Sequence, residues 1–139
     1  MAAFFLQRLK FSSFEFERFP KGRCRASVGL EHPDGTLVIK AAQGIGAANT
    51  ASELRCAAQA TIEVLGKLIG DGCSFSLLGV KAVKAFGTRV VIVALSVQEG
   101  DQIHRLVGSV LAEKNPERGA ALAVLDATNR LVGQILFDH

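Results

Sequence analysis

A chain of 139 residues, 49% of them apolar and 21% charged, is large enough for one hydrophobic core, and its composition excludes extensive disorder. The net charge of +3 comes from scattered basic residues without a dense cluster, and there is no Tyr or Trp, so nucleic-acid binding ranks last among the function classes. No apolar run approaches membrane length, and the first one, Ala2 to Leu6, is also too short for a signal-peptide core; a cytoplasmic protein without a membrane partner is expected.

Residues 1–10 carry Phe4, Phe5, Leu6 and Leu9 and read as an N-terminal extension to a single domain over 11–139. From Phe11 the pattern changes to alternation, with Phe14, Phe16 and Phe19 set against Glu15, Glu17 and Arg18, which predicts a half-buried strand over 11–19. Pro20-Lys21-Gly22 is a turn. Arg18, Lys21, Arg23 and Arg25 around it form the tightest basic group, read as a solvated turn with an anion contact as the alternative. Cys24 to Glu31 is a second strand, His32-Pro33-Asp34-Gly35 a hairpin turn, and Thr36 to Ala42 a third strand.

Gln43 to Thr50 then leads into an amphipathic helix over about 51–69. Leu54, Ala58, Ile62, Leu65 and Ile69 line its core stripe, and Arg55, Gln59, Glu63 and Lys67 its solvent stripe. Thr50-Ala51-Ser52-Glu53 fits a capping box, with Asn49 as the alternative cap, and Gly70 and Gly72 stop the helix. The order recurs beyond them: Ser74 to Ala85 broken by Gly79, a turn at Phe86-Gly87-Thr88, Arg89 to Val97, a hairpin at Gln98 to Asp101, and Ile103 to Leu111. Asn115 followed by Pro116 then opens a helix that Gly133 is expected to end. Leu54, Ile62, Leu65, Val91, Val93, Leu122 and Leu125 are the expected core.

Gly22 matches Gly87, Gly35 matches Gly100, Thr50 matches Asn115 and Ala58 matches Ala123, at a nearly constant offset of about 65 residues. This predicts an internal duplication and an α+β fold. Two β-β-β-α repeats, 11–70 and 73–133, give an antiparallel sheet with two helices packed on one face. Val90 to Val97 is apolar at both parities, so its second face calls for cover, which a symmetric partner chain would supply; a homodimer is expected.

No catalytic residues are assigned, and an enzyme is not expected. His32, His104 and His139 have no spacing that gathers them, and no phosphate loop, nucleophile elbow or zinc motif occurs. Cys24, Cys56 and Cys73 are odd in number, lack a C-x-x-C pair and lie in apolar surroundings, as expected of reduced thiols; no metal and no cofactor are assigned. Gly44-Ile45-Gly46 lacks the third glycine and the parallel β-α-β setting of a dinucleotide site.

The run Gly44-Ile45-Gly46-Ala47-Ala48-Asn49-Thr50 resembles the G-x-G-P-V-N-A loop in the regulatory C-terminal domain of isopropylmalate and citramalate synthases, with Ala47 in place of the proline. Val107-Gly108 and Ala123-Val124-Leu125-Asp126-Ala127 are similar to the V-G and A-L-x-D-[SA] motifs of that domain's second module. The resemblance covers about residues 11–132. It implies a dimeric domain that binds a small anionic effector, an amino or keto acid, between loops at the helix starts, with Gly44, Gly46, Asn49, Thr50, Gly108 and Ser109 as effector-binding residues. The competing reading of the loop is a tight structural turn. The competing function is a protein-interaction module that docks through Phe4, Phe5 and Leu9.

Overall fold

The computed structural model describes residues 9–44, 50–70 and 72–137. Strands β1 (Lys10–Phe19), β2 (Arg23–Glu31) and β3 (Leu37–Gly44) precede helix α1 (Thr50–Ile69). Strands β4 (Cys73–Ala85), β5 (Thr88–Glu99) and β6 (Gln102–Leu111) precede helix α2 (Pro116–Phe137). The expected α+β duplication of two β-β-β-α repeats is present. The six strands form two antiparallel sheets of three, in the orders β1-β2-β3 and β4-β5-β6, each with its middle strand second in sequence. Phe4 and Phe5 of the interaction-module reading, with Gly46, Asn49 and His139, lie outside the described residues.

Alternation decides which face of each sheet turns inward. Cys24, Ala26, Val28 and Leu30 of β2 are buried, as are Val91, Val93, Leu95 and Val97 of β5. Helix α1 packs on β2 and β3 of its own sheet, on β4 of the other, and on α2; helix α2 packs on β5, β6 and, at one end, β1. Each repeat therefore lends its first strand to the other repeat's helix. Small residues make that density possible: Ala57, Ala58, Ala60 and Thr61 of α1, and Ala120, Ala121, Ala123 and Thr128 of α2, are almost fully buried. The two buried threonines donate their hydroxyls to carbonyls one turn back, Thr61 to Ala57 at 2.9 Å and Thr128 to Val124 at 2.8 Å.

The duplication extends to backbone conformation. Lys21-Gly22 and Phe86-Gly87 hold positive φ at matching places, 65° and 71° in the first turn, 56° and 73° in the second. The constant offset is corrected in the third strand. Val28 pairs with Lys40, whereas Val93 pairs with Gly108, three residues further along than the offset requires. The cause is the hairpin: β2 and β3 are joined through the bonded His32–Thr36 turn, while Glu99 and Gln102 already pair across a two-residue connection. Gly79 bends β4 without breaking it, since the register shifts between Leu77 and Gly79 and pairing resumes.

Two further expectations change. Helix α2 runs through Gly133 to Phe137, because a helical glycine costs only about 1 kcal/mol against alanine and the residues after it are helix formers. Leu122 is half-buried, unlike Leu54, Ile62, Leu65, Val91, Val93 and Leu125, which are buried. Asn115 caps α2 as expected, its side-chain oxygen accepting from the Arg118 amide at 3.0 Å. Glu53, expected to reach back within the α1 capping box, has both carboxylate oxygens on Arg18, at 2.6 and 3.3 Å.

Candidate functional site

Gly44 ends β3 beside the first turns of α1, and its lack of a side chain is what the packing there needs. A Cβ on it would stand 3.0 Å from the Cys24 sulfur, 3.7 Å from the Cys56 Cβ and 3.8 Å from the Ser52 carbonyl oxygen. Two cavities share Gln43 and Gly44 as lining. One, of about 260 Å³, is lined by Phe19, Arg23, Cys24, Gln43 and Gly44. The other, of about 230 Å³, is lined by Gln43, Gly44, Ser52, Arg55, Cys56 and Gln59.

The polar groups around Gly44 are mostly donors. Arg23 lines one cavity and Arg55 the other, and neither guanidinium has an ion pair among the described residues. The amides of Gln43 and Gln59 and the hydroxyl of Ser52 add neutral hydrogen-bonding groups, and the positive end of the α1 dipole lies alongside. Sequence reasoning missed both arginines as site residues: Arg23 was part of the basic turn with an anion contact as the alternative, and Arg55 belonged to the solvent stripe. Arg55 was within reach of detection, because a second-turn arginine one helical turn after Ala51 points back toward the helix start.

The thiols here are wall, not reagents. Cys56 donates to the Ala42 carbonyl at 3.1 Å, and burial, followed by the neighbouring Cys24 thiol, pushes its pKa up to about 12. Cys24 and Cys56 are buried and Cys73 half-buried, all of them free. His104 lies 3.4 Å from Glu99, and His32 sits in its turn beside Asp34. Among the described residues no group of three His, Cys, Asp or Glu side chains could hold a metal ion.

The second repeat repeats the cavity with different chemistry. Lys84, Gly87, Thr88, Arg89 and Glu113 line a space of about 330 Å³, where Thr88 and Arg89 stand in the places of Arg23 and Cys24, and Lys84, paired with Arg89, in the place of Arg18, which pairs with Cys24. Glu113 puts a carboxylate there, accepting from the Thr88 hydroxyl at 2.8 Å.

Of the expected site residues, Gly44 is at the cleft and Thr50 begins α1. Gly108 and Ser109 are elsewhere, in the middle of β6, and line none of these three cavities. A Cβ on Gly108 would collide with the Ala123 carbonyl oxygen and come within 2.5 Å of the Ala127 amide nitrogen, so the strand and α2 meet backbone to backbone. The Ser109 amide donates to the Asp126 carboxylate at 3.0 Å. The motif fragments Val107-Gly108 and Ala123 to Ala127 thus meet each other, and their contact fastens a sheet edge to a helix.

A third cluster joins the repeats. Arg18 shares the inward face of β1 with Phe14 and Phe16 and stacks on the Phe16 ring at 4.9 Å. Its guanidinium holds Glu53 of α1 at 2.6 Å and Glu117 of α2 at 2.8 Å, two nearly buried carboxylates in the first turns of the two helices. The sequence reading set Arg18 with the outward Glu15 and Glu17, although period two places it on the phenylalanine face. Among the described residues no helix is long and apolar enough to cross a membrane. No known family model matches the chain, and no curated protein matches it.

Proposed function

We propose that the protein is a non-enzymatic, cytoplasmic regulatory domain, acting as a homodimer, that binds a small anionic effector of the amino- or keto-acid class in the cleft around Gly44. The observation that carries this reading is the pair of cavities that share Gln43 and Gly44 as lining, one with Arg23 and the other with Arg55, neither of which has an ion pair among the described residues. Each is somewhat below the usual ~300–1,000 Å³ of small-ligand pockets, a size for a molecule of several heavy atoms. A carboxylate at Arg55 gains charge-assisted hydrogen bonds, with Ser52 and the positive end of α1 adding to the same field, and Arg23 offers the same contact in the neighbouring cavity. Gln43 and Gln59 offer both donors and acceptors for an amino or keto group.

The test is a thermal-shift screen with amino, keto and dicarboxylic acids, followed by calorimetry on each hit. A ligand held at 100 times its Kd stabilises the native state by about 2.7 kcal/mol. Arg23→Ala and Arg55→Ala should each weaken binding by about tenfold or more with the melting temperature of the free protein nearly unchanged, because both side chains are exposed. Equal affinity in the doubly substituted protein would remove the cleft from the site.

A further inference from the structure

The outward faces of the two sheets differ in a way the duplication does not require. On the first, the cross-strand rows are Lys10-Glu31-Leu37, Ser13-Gly29-Ile39, Glu15-Ser27-Ala41 and Glu17-Arg25-Gln43, with Phe19 and Arg23 at the end. Charged side chains stand in most rows, as expected of a face turned to water. On the second, the rows are Val83-Val90-Leu111, Lys81-Ile92-Ser109, Gly79-Ala94-Val107, Ser76-Ser96-Arg105 and Ser74-Gln98-Ile103. Only Lys81 and Arg105 are charged there. Ile103, Val107 and Leu111 are 66%, 69% and 67% exposed, and Leu78, at the bulge, is 53% exposed.

We infer that this second-sheet face is where two copies of the chain pack on each other, face to face about a twofold axis. The inference rests on the homodimer part of the proposed function and assigns it a surface. Ile103, Val107, Leu111 and Leu78, with half-buried Val83, Val90, Ile92 and Ala94, expose on the order of 600 Å² of apolar surface, at or above the upper end of the ~300–600 Å² patch found on monomers. A standard specific interface buries about 800 Å² per partner, roughly two-thirds of it apolar in homodimers, so one copy of this face supplies what one side of a dimer needs. The same patch on both chains meets itself under a twofold axis, and two three-stranded sheets can pack face to face at the usual ~10 Å spacing. The two cations of the face, Lys81 and Arg105, stand on the edge strands β4 and β6, so both can reach water at the rim of such a pairing and leave its middle uncharged.

Sedimentation of the full chain over a range of concentrations tests this, with Val107→Asp placing a carboxylate in the middle row of the face, on its β6 side, and Ile39→Asp, on the edge strand β3, as the control on the first sheet. The wild-type chain should sediment at twice its 14.8 kDa mass. Val107→Asp should be a folded monomer by circular dichroism, its dimer weakened at least ~100-fold by the desolvated, unpaired charge, and Ile39→Asp should remain dimeric. Ile103→Asp, at the far end of the same face, replaces Val107→Asp if that variant does not fold. A monomeric wild-type protein overturns the homodimer together with its surface, and would leave the patch to a different occupant. A dimer that survives both second-sheet variants, or is broken by Ile39→Asp, overturns the surface alone.

Discussion

At the scale of single residues, the cleft is shaped by groups that do no chemistry. Cys56 is 4% exposed, and its thiol stays protonated well above neutral pH because burial disfavours the thiolate. The sign of the stability effect follows. In the unfolded chain the thiol loses its proton near its ordinary value of 9.0, whereas in the fold it holds it to about 12. The contribution is therefore complete below pH 9 and is lost as pH rises from there toward 12. Cys56→Ala should flatten the alkaline limb of a stability-against-pH curve measured by urea unfolding, and a curve as steep as the wild type would place the loss in other groups. Native alkylation at pH 8 should accordingly reach the half-buried Cys73 before Cys24 or Cys56.

At the scale of elements, the contact between β6 and α2 shows what a single glycine does. Gly108→Ala should cost about 3 kcal/mol or somewhat more, at the upper end for overpacking, because the new methyl meets the Ala123 carbonyl and the Ala127 amide, backbone that cannot swing aside. Gly79→Ala, with open space around it, is the control and should stay within about 1 kcal/mol. Equal losses in the two variants, measured by urea unfolding, would mean that the close approach is not what holds the helix down. The elements themselves were legible in the sequence, because Phe14 and Phe16 alternate, Val91, Val93 and Leu95 alternate, and Leu54, Ala58, Ile62 and Leu65 recur at helical steps. What escaped was set by partners distant in the chain. Gly108 reads as part of a loop site until α2 is seen lying on it, and Arg18 reads as a surface charge until both helix starts are seen converging on it. The helix end at Gly133 escaped for another reason: glycine punctuates a helix only where the residues after it favour leaving.

At the scale of the whole molecule, the two repeats share one packed core. Helix α1 lies on β4, β1 reaches α2, the helices pack on each other, and Arg18 of the first repeat clasps Glu53 and Glu117 from both. A lone first repeat would expose Ala57, Ala60, Thr61 and Val64, all of them 0% exposed in the full chain, on a helix only partly covered by its own three-stranded sheet. It would also lose one of the two carboxylates that Arg18 holds, and about 70 residues is already a marginal size for a single core. Cutting between Gly70 and Gly72, in the connection from α1 to β4, should give two fragments that show no cooperative melting separately and regain a single melting transition when mixed in equal amounts. The cut removes no core side chain, so complementation is limited by association of the fragments. Arg18→Ala in the first fragment should weaken that association by roughly 1–3 kcal/mol: losing one partner of a buried pair costs 3–5 kcal/mol, discounted here because the guanidinium is 59% exposed. A first fragment that melts cooperatively by itself would show that each repeat carries its own core, and the shared packing of α1 on β4 would then be an interface between two small domains.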